Sequence, residues 1–234
     1  MNKSYACSDL HGNYNLWKQI SDYCDYTDTI YILGDAIDRG KDGLKLMLAL
    51  LGDSRVNYLM GNHETMMAAS ISEYFYDYNN YSNKTYLWMC NGGQETYEAL
   101  QQYDVDFQIS LLKEILNLPY YIYLKDKNIV LCHSGCDYEQ LLTKEDMKNN
   151  YLWNREHLTH EWDGPEYLTM IHGHTPVQSI LGDKTIDPEI YKYCNGHKID
   201  IDLGCFYSKK TALLDLDTLE PIYFYDKGEE KENE

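Results

Sequence analysis

The chain is poor in basic residues. Its 234 residues include 20 Lys and Arg against 38 Asp and Glu, which gives a formal net charge of −18. Such a surface repels polyanions, so we expect neither nucleic acid nor a membrane as a partner. The sequence also lacks an apolar run long enough to span a bilayer, and its first residues lead into a predicted strand instead of a signal-peptide core. We therefore expect a cytoplasmic protein.

Paired cysteines are absent as well. The seven cysteines are an odd number and include no CxxC pair of the kind found in zinc sites and disulfide frameworks. We expect them to be reduced and mostly buried. With 44% hydrophobic residues the chain can form a substantial core, and we predict one domain over residues 1–226 and an acidic disordered tail over residues 227–234. Nothing in the sequence indicates an oligomeric state.

What the sequence does contain is a charged turn directly after an apolar strand. Residues 31–33 lead into Gly34-Asp35-Ala36-Ile37-Asp38-Arg39-Gly40. Two carboxylates and a guanidinium within five residues indicate that a charged group lies in front of them, because unpaired buried charge is costly. In open α/β sheets, ligands bind beyond the carboxyl ends of the strands. We therefore expect this turn to lie at a ligand site.

Two other predicted strands also end in polar residues beside a glycine. Residues 3–7 precede Asp9-Leu10-His11-Gly12, and residues 56–60 precede Gly61-Asn62-His63-Glu64. The spacing of Asp9 and His11 suits chelation of one cation, although an Asp that caps the next helix explains that pair alone equally well. Capping also explains a single Asn-His-Glu turn. Three successive strands that end alike favour a ligand site.

Histidines follow two later predicted strands. One strand runs into His133, and another runs into His172-Gly173-His174. We predict His174 as a ligand and His172 as its support, because the chain is already turning there. Carboxylate, amide and imidazole donors suit two divalent ions such as Mn, Fe or Zn in preference to Ca. The candidate ligands are Asp9, His11, Asp35, Asn62, His133 and His174.

Taken in order, these motifs resemble those of the PPP-type metallophosphoesterases, and in particular of bacterial serine/threonine protein phosphatases. The similarity covers residues 3–216 and includes Asn91-Gly92-Gly93 and Ile199-Asp200-Ile201-Asp202. The chain is also similar to the compact phosphatase of bacteriophage lambda in its length and in the segment Trp153-Asn154-Arg155-Glu156. The resemblance implies an α/β fold with two mixed β-sheets packed as a central sandwich flanked by α-helices, the calcineurin-like metallophosphoesterase fold.

The resemblance further implies a metal centre with a shared ligand. The ligands of the first metal would be Asp9, His11 and Asp35. The ligands of the second would be Asp35, Asn62, His133 and His174. Asp35 is then the bridge between the two ions. The expected metal is Mn, with Fe or Zn as alternatives. Ser134 stands where alanine is common in the family, and this departure removes no ligand.

Catalytic roles also follow from the resemblance. Arg39, Arg155 and Asn62 would bind the substrate phosphate. His63 would be the general acid, oriented by Asp38. A hydroxide that bridges the two metals would attack phosphorus in line, with no phosphoenzyme intermediate.

The predicted function is therefore a metal-dependent phosphomonoesterase, specifically a serine/threonine phosphoprotein phosphatase. The alternative is a symmetrical dinucleoside tetraphosphate hydrolase, which converts diadenosine tetraphosphate to ADP and resembles the family in the same motifs. We favour the phosphatase because a nucleotide site needs a shaped pocket. The sequence offers little to build one beyond the tyrosine-rich segment 73–86, which we predict to be a surface excursion.

Overall fold

The fold is taken from a computed structural model, which describes residues 2–76, 83–143 and 147–228. Within these ranges the strands are β1 (Ser4–Cys7), β2 (Thr29–Ile32), β3 (Val56–Tyr58), β4 (Tyr121–Leu124), β5 (Ile129–Cys132), β6 (Thr169–His172), β7 (Tyr191–Tyr193), β8 (Lys198–Asp200), β9 (Lys210–Asp215) and β10 (Pro221–Tyr225). The helices are α1 (Tyr14–Tyr23), α2 (Gly43–Gly52), α3 (Asn62–Tyr76), α4 (Asn83–Cys90), α5 (Gln94–Leu100), α6 (Val105–Leu116), α7 (Tyr138–Thr143), α8 (Met147–Leu152), α9 (Val177–Ile180) and α10 (Cys205–Ser208).

The strands form two mixed five-stranded sheets. Their orders are β10-β9-β1-β2-β3 and β4-β5-β6-β8-β7. In the first sheet β1, β2 and β3 are parallel, and in the second β5, β6 and β8 are parallel. Antiparallel strands complete both sheets. The predicted fold class, two mixed sheets flanked by helices, is confirmed.

The sheets pack face to face because their strands are apolar on both faces. In β1, Ala6 belongs to the cluster between the sheets, whereas Tyr5 and Cys7 belong to the cluster under the helices. The cluster between the sheets draws on both of them and comprises Ala6, Leu33, Leu59, Ile129, Leu131, Ile171, Ile199, Ile201, Leu214 and Leu216. The cluster under the helices, on the outer face of the first sheet, includes residues of α1, α2, α3, α4, α5 and α6. No helix among the described residues is long and apolar enough to cross a membrane.

The tyrosine-rich segment differs from its predicted form. Residues 73–76 complete α3 and residues 83–86 begin α4, so the described parts of the predicted surface excursion are helical. Residues 62–76 contain neither glycine nor proline to end α3 earlier. Tyr74 and Tyr86 are exposed, as expected for a surface segment. Residues 77–82 and residues 229–234 of the predicted tail lie outside the described residues.

The cysteines follow the expected pattern of burial. Five of the seven are buried, Cys90 is exposed and Cys194 is intermediate. All seven are free thiols. The described structure is therefore stabilised by its packed core and not by disulfide bonds.

Candidate dinuclear metal centre

The carboxyl ends of the parallel strands of both sheets meet at one edge of the sandwich. Polar residues follow five of these strands within a few positions. They are Asp9 and His11 after β1, Asp35 after β2, Asn62 after β3, His133 after β5 and His174 after β6. All six are buried. The structure thus brings the six predicted ligands to a single edge of the fold, as expected for ligand sites in open sheets.

The turns that present these side chains have an unusual backbone. Several residues have positive φ angles, namely Asp9 (53°), His11 (42°), Asp35 (52°), Asp38 (70°), Arg39 (63°) and His174 (73°). The left-handed region costs a non-glycine residue of order 1–3 kcal/mol and is concentrated at functional sites. Hydrogen bonds between neighbouring turns hold the conformation, with the His11 N–H 3.0 Å from the Asp35 carbonyl oxygen. Gly34 has a φ of 89°, and a Cβ there would lie 2.6 Å from Gly61 Cα, so no side chain fits.

The first group of ligand atoms lies around His11. Nδ1 of His11 is 3.0 Å from the Ile37 carbonyl oxygen and donates to it. The lone pair therefore sits on Nε2, which is 3.8 Å from Asp9 Oδ1 and 3.9 Å from Asp35 Oδ2. The other oxygen of Asp9 accepts the backbone N–H of His174 at 2.9 Å. One imidazole nitrogen and two carboxylate oxygens thus face the same space.

The second group, at the same edge of the sandwich, combines residues that follow strands of both sheets. Nδ1 of His133 donates to the Leu33 carbonyl oxygen at 2.7 Å, so its Nε2 carries the lone pair. That Nε2 is 2.9 Å from Asn62 Oδ1 and 3.4 Å from Asp35 Oδ1. Nδ1 of His174 is 2.9 Å from the same Asn62 oxygen. These clustered imidazole nitrogens and carboxylate and amide oxygens are the kinds of atom that coordinate a divalent cation.

Asp35 joins the two groups. Its Oδ2 faces His11 at 3.9 Å, and its Oδ1 faces His133 at 3.4 Å. Burial, together with the charges of Glu64 and Asp9, raises the pKa of Asp35 well above its usual value. Burial also holds the pKa of His11 well below its usual value. A dry site that opposes both carboxylate ionisation and imidazole protonation fits divalent cations, which restore the charge balance.

His63 lies beside the first group and pairs with Asp38. Nδ1 of His63 is 2.6 Å from Asp38 Oδ2, which also accepts the indole N–H of Trp88 at 2.7 Å. Burial raises the pKa of Asp38 to about 7 and holds the pKa of His63 well below its usual value. The guanidinium of Arg39 donates to the other ring nitrogen, so the proton of the neutral ring is on Nδ1.

The other ring nitrogen of His63 faces two charged groups. Nε2 is 3.7 Å from Asp35 Oδ2, which brings it within reach of a cation in the first group. The guanidinium of Arg39 lies 3.2 Å from the same nitrogen and donates to it. This donor occupies the Nε2 lone pair, through which His63 could either bind a cation with His11 and Asp35 or take up a proton.

Arg155 lies on the rim of the site and is exposed. Burial, followed by the charges of His133 and Arg155, holds the pKa of His174 well below its usual value. His172 is arranged differently, because its ring contacts lead away from the ligands. Nε2 of His172 is 2.8 Å from the Tyr193 hydroxyl, and Nδ1 is 3.5 Å from Asp200 Oδ2.

A cleft extends from Arg39 away from the ligand groups. Its volume is about 920 Å³, and its lining includes Gln94, Lys184, Phe206 and Tyr207. The sequence alone did not predict this cleft. Its described lining comes from Arg39 and from residues within 90–95, 176–184 and 206–207, which are distant from one another in sequence.

Three residues that support the site were not predicted from the sequence. Glu64 accepts the backbone N–H of Asp35, Trp88 donates to Asp38, and the hydroxyl of Thr96 accepts the Asp38 N–H at 3.1 Å. Glu64 stands three residues after Gly61 in the first turn of α3, a position that could have signalled a cap. No local pattern pointed to Trp88 or Thr96, because both act across long separations in sequence.

An α/β sandwich with buried carboxylate, amide and imidazole donors at its parallel strand ends is characteristic of a dinuclear metallohydrolase. The chain belongs to the calcineurin-like phosphoesterase family, which it matches over residues 3–207. Membership in this family implies a metal-dependent phosphoesterase with a dinuclear divalent metal site. Comparison with curated protein sequences finds no significant match.

Solved structures share the fold at low sequence identity. A putative diadenosine tetraphosphatase has a TM-score of 0.68 and 14% identity, covering 96% of this chain and 93% of that one. A protein serine/threonine phosphatase from Saccharomyces cerevisiae has a TM-score of 0.57 and 12% identity, covering 99% and 82%. A cold-active protein-tyrosine phosphatase from Shewanella sp. has a TM-score of 0.54 and 16% identity, covering 96% and 78%. At these identities the likeness concerns the fold alone.

Proposed function

We propose that this chain is a cytoplasmic phosphomonoesterase whose substrates are phosphoserine and phosphothreonine in flexible protein segments. The observation that carries the proposal is the carboxylate of Asp35, which offers one oxygen to each ligand group, with Arg39 and His63 beside it. We assign the activity to a single domain over residues 1–226. The yeast serine/threonine phosphatase with the same fold supports this substrate class.

The proposed ligands are the residues of the two groups. One ion would be held by Asp9, His11 and Asp35. The other would be held by Asp35, Asn62, His133 and His174. Bound there, the ions would supply Lewis acidity toward the phosphoryl oxygens and a water of lowered pKa. The mixed oxygen and nitrogen donors are those that Mn²⁺ accepts, and Fe or Zn also fits them.

The remaining residues bind phosphate and move a proton. Arg39 and Arg155 supply guanidinium forks for the phosphate oxygens, assisted by the amide of Asn62. When Arg39 turns to the phosphate, it releases Nε2 of His63, which can then hold the proton that the leaving alkoxide needs. Asp38, 2.6 Å from Nδ1, keeps the ring oriented and stabilises its charged form.

A second candidate function is symmetrical hydrolysis of dinucleoside tetraphosphates. The cleft of about 920 Å³ beside Arg39 favours it, because the size falls in the range of small-molecule sites. Tyr207 lines the cleft and is 74% exposed, so its ring is available to stack on a base. The neighbour described as a putative diadenosine tetraphosphatase supports the same candidate.

A competition assay tests the two candidates. Apoprotein is reloaded with Mn, Fe, Zn or Mg and offered a phosphopeptide and diadenosine tetraphosphate side by side. We expect a higher kcat/KM for the phosphopeptide, with Mn the most effective metal. Cleavage of diadenosine tetraphosphate to ADP with a kcat/KM far above that of any phosphopeptide would replace the phosphatase with the hydrolase. Hydrolysis of neither substrate with any metal would overturn the proposal.

Variants in the cleft sharpen this test. Tyr207→Ala removes the exposed ring, and Tyr26→Ala removes an exposed ring in the turn before β2, at the opposite end of that strand from Asp35. A nucleotide substrate should lose kcat/KM with Tyr207→Ala and keep it with Tyr26→Ala. A phosphopeptide that binds through the arginines should be affected much less by either change.

A further inference from the structure

The turn that follows Arg155 is held in place by hydrogen bonds to buried residues beneath it. Arg155 directly precedes a short 3₁₀ turn at Glu156–Leu158 and is exposed. The next residue but one, His157, is completely buried. An exposed arginine can meet a phosphate in a fixed geometry only when the backbone beneath it is fixed, because the side chain itself has many rotamers.

Lys198 provides the first tie. This β8 lysine has an exposure of 0%, which is rare for a lysine. Its ammonium donates to the carbonyl oxygen of His157 at 2.8 Å and to that of His160 at 3.4 Å, and it lies 3.4 Å from Asp137 Oδ1. These three acceptors match the three donors of the ammonium. The His157 carbonyl belongs to the turn, and the His160 carbonyl lies two residues beyond its end.

Ser134 provides a second tie, and it links the turn to the metal centre. The imidazole Nε2 of His157 donates to the Ser134 carbonyl oxygen at 2.7 Å. The backbone N–H of Asn154 donates to the Ser134 hydroxyl at 3.2 Å. Because Ser134 directly follows His133, these bonds connect the Arg155 turn to the strand end that presents a candidate ligand.

We propose that Lys198 is a positioning residue that holds the turn so that Arg155 meets the substrate phosphate. This inference rests on the proposed phosphatase function, and in particular on the role of Arg155. Burial of an ammonium is costly, and an apolar residue would fill the same space at lower cost. The lysine at this position therefore binds the carbonyl groups of His157 and His160, which no apolar side chain can bind.

A double-mutant cycle tests the proposal. We compare Lys198→Met, Arg155→Ala and the double variant, using Mn-loaded protein, p-nitrophenyl phosphate as substrate and inorganic phosphate as competitive inhibitor. Loss of a charge-assisted hydrogen bond weakens binding by roughly 10- to 100-fold, so we expect Arg155→Ala to raise KM and the phosphate Ki within that range. Lys198→Met should raise both in the same direction. In the Arg155→Ala background it should have no further effect.

Lys210→Met is the matched control. Lys210 is also a buried strand lysine, 2% exposed, and its ammonium lies 3.0 Å from Asp187 Oδ1. This variant should alter stability without raising KM. If Lys198→Met does not fold, Asp137→Asn weakens the same ammonium contact at a partly exposed residue and enters the same cycle.

Amide hydrogen exchange adds a measurement that does not depend on activity. In Lys198→Met, exchange should accelerate in the segment 153–160, and it should not do so in Lys210→Met. Unchanged exchange in that segment would overturn the proposal. An equal loss of phosphate affinity with and without Arg155 would also overturn it. If Arg155→Ala leaves KM and Ki unchanged while exchange still responds to Lys198→Met, the assigned role of Arg155 is wrong and the structural tie stands.

Discussion

The carboxylate of Glu64 accepts a hydrogen bond from the backbone N–H of Asp35, with Oε2 2.8 Å from the amide nitrogen. The same carboxylate accepts the N–H groups of Ala36 and Gly61, each at 3.0 Å, and the Tyr58 hydroxyl at 2.6 Å. Glu64 is completely buried and stands in the first turn of α3. One side chain therefore fixes the turn that presents Asp35 to both groups of ligand atoms.

We predict that Glu64→Gln destabilises the protein and weakens metal binding together. The glutamine amide places an N–H donor where the carboxylate has an oxygen acceptor, so at least one backbone N–H group loses its partner. Each buried polar group left unpaired lowers the free energy of unfolding by about 1–3 kcal/mol. Urea unfolding and metal titration measure the two effects. Tyr58→Phe is the control, because it removes one hydrogen bond to Glu64 and leaves the backbone bonds in place. If Glu64→Gln bound metal with unchanged affinity, the supporting role of Glu64 would be disproved.

We predict that Asp35→Asn abolishes metal-dependent activity and leaves the fold largely intact. The amide supplies one weak oxygen ligand where the carboxylate supplies two, so the contact that joins the groups is lost. Metal content, circular dichroism and turnover are measured together. Asp22→Asn, on the exposed surface of α1, should behave like the unaltered protein. Full turnover by Asp35→Asn at equal metal occupancy would refute the shared ligand.

We predict that His63→Ala retains both metals and slows poor leaving groups by ~10²–10⁴, the usual contribution of general acid catalysis. An aryl phosphate should suffer less, since its leaving group needs little protonation. We measure the loss of turnover rate for an alkyl ester and for an aryl ester and compare the two losses. Equal losses for both esters would exclude His63 as the proton donor.

We predict that His157 makes the folded state less stable as the pH falls below about 6.5. Burial, followed by the charges of His172 and Lys198, lowers the pKa of His157 to about 2. The unfolded chain binds a proton that the folded chain cannot bind, so the contribution is fully present above pH ~6.5 and is lost by about 1.4 kcal/mol per pH unit below it.

Urea unfolding of the apoprotein between pH 7.5 and pH 4 checks this slope in the unaltered protein and in His157→Gln. All other titrating groups are common to the two proteins, so the difference between their slopes isolates His157. Over this range the free energy of unfolding of the variant should depend less steeply on pH, by the slope that corresponds to one bound proton. Parallel curves for the two proteins would show that His157 is protonated in the folded state.

The sequence by itself determined the local elements and the chemistry at their ends. The apolar runs at residues 3–7 and 56–60 predicted β1 and β3 within one or two residues, because each strand depends on neighbours close in the chain. The polar turns after the strands predicted all six candidate ligands, because their residue types carry the chemistry wherever the fold places them. Strand β7, three residues long, was not predicted, since so short a segment has no distinct period.

Only the tertiary structure decided how these turns meet. The contact between Asn62 and His133 spans 71 positions, and that between Asp9 and His174 spans 165, so both depend on how the two sheets pack. The same packing surrounds Glu64 and Lys198 with backbone groups and forms the cleft beside Arg39. A charged side chain is buried stably only when partners converge on it, and partners distant in sequence converge only in the folded chain.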